Sequence, residues 1–79
     1  MMSAMTTNIT PTNLGKAATL HVEAIINGRQ IGIAIVDGML IQCADGKWST
    51  QAPRPGMTVE QAANGAADML MARGGVKFI

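Results

Sequence analysis

Asn27-Gly28 stands between two apolar-rich runs, 20–26 and 29–36, and fixes how they must pair. A two-residue turn whose twist matches that of its strands needs positive φ at both central positions, which Asn and Gly tolerate at least cost. That turn sets Ile26 opposite Arg29. Walking outward, Ala24 then meets Ile31, Val22 meets Ile33 and Leu20 meets Ile35, so one face of the ribbon is wholly aliphatic. The other face sets Thr19, His21, Glu23 and Ile25 against Val36, Ala34, Gly32 and Gln30, a mixed surface with little bulk at its centre. The aliphatic face is expected to be core.

Asp37-Gly38 and Asp45-Gly46 repeat the turn chemistry further along, the mark of adjacent antiparallel strands. The third strand is expected over Met39–Ala44. Two registers are open at its turn. A two-residue loop would put Gln42 beside Ile33 on the core face, whereas a three-residue loop of Val36-Asp37-Gly38, with Gly38 left-handed in a bulge, would put Met39, Ile41 and Cys43 there. Burying Gln42 unpaired would cost about 1–3 kcal/mol, so the bulge is the expected register. The third turn sets Cys43 opposite Trp48 and Ile41 opposite Thr50, adding the only Trp to the core. Pro53 and Pro55 then end the meander, because proline removes a ladder donor.

Thr58 with Gln61 three residues on is a capping-box pattern, and Glu60 suits the positive end of a helix dipole. A helix is predicted over 59–73. Val59, Ala62, Ala63, Ala66, Met69, Leu70 and Arg73 follow i, i+3, i+4 spacing, while Glu60, Asn64 and Asp68 form a polar stripe. Gly74-Gly75 stops the helix by allowing a left-handed residue, and 76–79 is β-prone, enough for a last edge strand or a closing tail. The expected fold is therefore α+β: an antiparallel β-meander of three to four strands with one C-terminal amphipathic helix packed on one face, and room for a short final strand. It occupies residues 17–79 as a single small domain, preceded by a flexible lead over 1–16 that is polar and turn-rich.

The 79 residues allow one domain, whose stability alone is marginal. One Cys excludes an intramolecular disulfide, and six basic against five acidic residues give a net charge of +1, which implies neither nucleic acid nor membrane as partner. The start lacks a basic end followed by an apolar run, so it is not read as a secretory signal, and a cytoplasmic location is expected. Asn8-Ile9-Thr10 matches a glycosylation acceptor only by a common pattern.

His21 is the only histidine and has no second His or Cys at ligand spacing, so it reads as an ordinary surface residue. Cys43 reads as a buried structural thiol on the core face, away from His21. The five acids belong mainly to turns and the helix stripe, and the glycines have no phosphate-loop spacing. No enzyme activity, catalytic residue, metal or cofactor is expected. Arg29 and Lys47 follow turns at one end of the meander and Arg54 follows soon after; this small basic rim, without exposed aromatic residues, reads as solvated surface. The apolar remainder says more. Ile25, Ala34, Val36 and Leu40, with Gln42 among them, are expected on the non-core face, and Met71 lies off the helix's main apolar line. Such surface marks a candidate interface for a protein partner or a homodimer. The competing expectation is that the N-terminal segment folds back over that face.

Thr58-Val59-Glu60-Gln61-Ala62-Ala63 after Pro55-Gly56, following a meander, resembles the start of the helix in antitoxins of the HicB type, in integrase arm-binding domains and in double-stranded RNA-binding domains. The last would imply a Lys-rich helix start where this chain has Glu60 and Gln61, and the arm-binding family would imply basic and aromatic residues on the sheet. Taken whole, the chain resembles the small phage-encoded anti-CRISPR proteins that inhibit type I surveillance complexes, in size, layout and absence of catalytic motifs. That resemblance implies a non-enzymatic inhibitor in the host cytoplasm that binds a Cas subunit and blocks recognition of target DNA. It carries over no functional residue. The alternative is a small nucleic-acid-binding regulator or HicB-type antitoxin.

Overall fold

A computed structural model describes residues 18–78. Four strands, β1 (Ala18–Ile26), β2 (Arg29–Val36), β3 (Met39–Ala44) and β4 (Lys47–Gln51), are followed by one helix, α1 (Val59–Ala72), and a short β5 (Val76–Lys77). They form one five-stranded sheet in the order β4-β3-β2-β1-β5, with every neighbouring pair antiparallel. This is the α+β layout expected, short final strand included. The lead over 1–16, the Asn8 motif and Ile79 lie outside the described residues.

The first turn has the register its residues dictate: Ile26 pairs Arg29, Ala24 pairs Ile31, Val22 pairs Ile33 and Leu20 pairs Ile35. Beyond Leu20 the register slips, because Thr19 is an extra residue in β1, and Ala18 pairs Val36. The second turn corrects the expected bulge. Asp37 and Gly38 have φ of 52° and 77°, the same left-handed pair as Asn27 and Gly28 at 53° and 77°. Val36 therefore pairs Met39, Ile35 pairs Leu40 and Ile33 pairs Gln42. The cost of burying Gln42 does not arise, because Gln42 is exposed. The third turn is as expected, with Cys43 opposite Trp48 and Ile41 opposite Thr50, so β3 and β4 are turned over as a block.

The face beneath α1, here the first face, gathers Leu20, Val22, Ala24, Ile33, Ile35 and Leu40 against Ala63, Ala67 and Leu70. Small helix residues let the backbones of helix and sheet approach closely. The buried line of α1 is Ala63, Ala67 and Leu70, not the line through Met69 and Arg73, both of which are exposed. Thr58 caps the helix: its Oγ1 accepts from the Gln61 backbone N–H at 3.0 Å, and the Gln61 side chain accepts from the Thr58 N–H at 2.9 Å. At the other end Gly74 has φ 89°, its N–H donates to Met71 O, and the Gly75 N–H reaches Leu70 O at 2.8 Å. That paired closure turns the chain back toward β1, where β5 sets Val76 beside Glu23 and Lys77 beside Val22.

Candidate functional site

Turning over β3 and β4 gives the second face of the sheet a core of its own. Ala34, Ile41, Cys43 and Trp48 are buried together there, with Ala18 and Val36 packed at their edge. The Trp48 ring reaches across Gly32: a Cβ added at that glycine would lie 2.8 Å from Trp48 Cη2. The missing side chain is thus the space the indole occupies. Beyond Gly32 the indole meets His21 edge to face, with ring centroids 5.6 Å apart, and Phe78 stacks on the imidazole at 4.5 Å. Phe78 is held in position by its backbone N–H, which donates to His21 O at 2.7 Å.

His21 is therefore not a surface histidine; it is 1 % exposed. The lone histidine of a mixed strand face is buried because Trp48 and Phe78 enclose it. Its Nε2 lies 2.6 Å from Glu23 Oε2, and the Gln30 side-chain amide donates to Glu23 Oε1 at 2.6 Å. Both carboxylate oxygens are thus engaged, which compensates their partial burial. With Nε2–H facing the carboxylate, Nδ1 is left buried, without a hydrogen-bond partner among the described residues.

Cys43 shares this face with His21, contrary to the expected separation, and donates to Gln30 O at 3.6 Å. Burial, helped by the Glu23 and Asp45 carboxylates and opposed by the Gly46 backbone N–H, pushes the thiol up from its ordinary value. A thiol so placed stays protonated at neutral pH and is a poor nucleophile. No group of three or more metal-ligating side chains occurs among the described residues. The arrangement is suited to packing and to positioning charge.

The candidate interface residues are scattered. Ile25 is 69 % exposed on the second face, but Ala34 has no exposure and Val36 is half-buried. Leu40 and Gln42 belong to the first face, Leu40 in the core and Gln42 in the open, because the second turn is a two-residue one. The basic rim is also divided. Arg29 and Lys47 begin β2 and β4 at one end of the sheet, whereas Arg54 lies in the loop beyond the far end of β4, a strand about 13 Å from first to last Cα.

Two other residues join Ile25. Val76 and Phe78, 58 % and 56 % exposed, lie on the same face at the β1–β5 edge, and with Glu23 and Gly74 the three line a shallow hollow of about 330 Å³. Val76 and Phe78 were visible in the sequence only as strand-forming residues, and nothing local marked their return to β1. On the first face, a cleft of about 420 Å³ separates α1 from β3 and β4, floored by Ile33 and Leu40 and flanked by Met57 and Met69. No helix among the described residues is long and apolar enough to cross a membrane. Comparison with protein families, with characterised proteins and with solved structures found no match to this chain.

Proposed function

We propose that this chain is a non-enzymatic protein-binding inhibitor, and that its partner is a Cas subunit of a type I CRISPR surveillance complex whose recognition of target DNA it blocks. The observation that carries the binding role is the Ile25–Val76–Phe78 patch. Three large apolar side chains, each more than half exposed, line one shallow hollow at a sheet edge. Clustered apolar exposure of this kind is uncommon on a free surface and favours a macromolecular partner. The choice of partner rests on the size, layout and catalytic poverty of the chain. Phosphate recognition is disfavoured by the separation of Arg54 from Arg29 and Lys47.

The test mixes purified chain with type I surveillance complexes and measures binding of their target duplex. Loss of target binding, reversed by Ile25→Asp with Phe78→Asp, supports the reading. Retained target binding with every complex tried overturns the choice of partner. Salt-dependent binding of the chain to random duplex moves the assignment to a nucleic-acid-binding regulator. Sedimentation of the free chain shows whether the patch instead joins two copies.

A further inference from the structure

We propose that the first face carries a groove for a peptide segment of a partner protein, apolar at its centre and acidic at both ends, lying beside α1 between Arg54 and Arg29. Three hollows with shared walls make up the groove. The cleft of about 420 Å³ between α1 and β3–β4 adjoins a smaller hollow of about 180 Å³ through Ile33, Gln42, Ala66 and Met69, and that one adjoins a third of about 400 Å³ through Ile26 and Ile31. They open on the first face because α1 packs over β1 and β2 and reaches β3 only at its margin. Ile26, Ile31 and Ile33 line the middle, with Arg54 at one end and Arg73 and Arg29 toward the other. These are the chain's only arginines, and none of its five acids lines any of the three hollows. None of the three makes an ion pair with another described residue. Charge of one sign at both ends of an apolar trough selects an occupant with the opposite sign at both of its own ends.

Gly65 gives the occupant a backbone. It is exposed in the middle of α1 and lines the cleft. Its backbone is helical and a Cβ built on it meets nothing within 4 Å, so nothing among the described residues requires glycine at a place where it weakens the helix relative to alanine. A glycine that the fold does not need is explained by another backbone approaching closely from outside. Ala62 and Ala66 keep the same wall of the cleft low. Across from them the Gln42 and Gln51 side chains are exposed, and their amides offer donors and acceptors to the main chain of such a segment. An acyl chain would leave both unused. From Ala62 to Arg73 the helix rises about 16 Å, the length of about five residues of extended peptide. The groove lies on the face opposite the Ile25–Val76–Phe78 patch, so it stands or falls independently of the partner proposed above.

The test selects a phage-displayed library of random dodecapeptides on the whole chain. Enriched sequences with Leu, Ile or Val flanked on both sides by Asp or Glu are expected; no enrichment, or a consensus that is basic or uncharged at its ends, overturns the proposal. A synthetic peptide of that consensus should shift the methyl resonances of Met57 and Met69, and Arg54→Glu with Arg73→Glu should weaken its binding at least about tenfold. Gly65→Ala separates binding from folding, because it should raise the folding equilibrium constant about fivefold while weakening peptide binding at least about fivefold. Peptide binding unaltered by Gly65→Ala overturns the proposal. Nuclear Overhauser contacts from residues 1–17 to the Met69 methyl in the free chain also overturn it, because the chain would then be its own occupant. Self-association of the free chain that the peptide disperses overturns it in favour of a second copy.

Discussion

The two faces of this sheet share their strands and are held together by different physics. The first face packs branched aliphatic side chains against a helix of small residues, so its stability is non-directional and scales with the apolar area removed from water. The second face packs one indole, one imidazole and one thiol over Gly32 and Ala34, and it buries the Glu23 carboxylate's partners along with them. There, each polar atom must find a particular neighbour or the burial is costly. Alternation along a strand does not by itself say which face is interior. Here both are, and the small residues of β2 mark where the second interior receives its large partner.

The comparison breaks first if the two cores are not separate. Trp48→Ala is expected to destabilise by about 3–5 kcal/mol and Leu70→Ala by about 2–5 kcal/mol, read from urea unfolding. Their costs in the double variant should add to within about 0.5 kcal/mol, because the two side chains share no partner. A larger coupling would mean that the sheet transmits packing strain from one side to the other. Gly32→Ala sharpens the contrast at one methyl group. The new Cβ meets the indole, so a loss of about 1–3 kcal/mol is expected, with a change in Trp48 fluorescence and none in the helical signal. Thr58→Ala does the reverse. Removing the cap should cost about 1 kcal/mol and reduce helicity, leaving Trp48 emission unaltered.

The smallest effect concerns pH. The Cys43 thiol ionises at higher pH in the folded chain than when unfolded, so its contribution to stability is fully present below the unfolded value, about 8.5, and is lost as pH rises through the folded value. Unfolding free energy should therefore fall on the alkaline side of that point, and Cys43→Ala should flatten the fall. A profile identical in the two proteins would remove Cys43 from the buried set.

The first hairpin was fully legible, since Asn27-Gly28 leaves one choice of partners for every residue of β1 from Leu20 onward. The helix was legible at its ends, where Thr58, Gln61 and the two glycines have specific backbone tasks, and less so along its length, where alanines on neighbouring lines compete and only the position of the sheet selects Ala67 over Met69. The second turn is not legible locally, because a burial cost at Gln42 applies only where something covers it, and Gln42 is exposed. The helix leaves that half of the first face open, and this depends on tertiary placement. His21 was missed for a related reason. Its enclosure needs Trp48 from β4 and Phe78 from beyond the helix, and the one local sign was the lack of bulk at Gly32 and Ala34. The exposed apolar patch is non-local in the same way, joining Ile25 to Val76 and Phe78, which follow the helix.

That return also sets an order of assembly. Every pairing from β1 to β4 is made through a two-residue turn, so each closes a short loop at little entropic cost and the meander can form from any of its three turns. Pairing Val22 with Lys77 is different, because it joins opposite ends of the described chain and closes a far longer loop that contains the whole helix. The edge that carries Val76 and Phe78 is therefore expected to be the last part of the sheet to form and the first to open, giving the fastest amide exchange of its ladder.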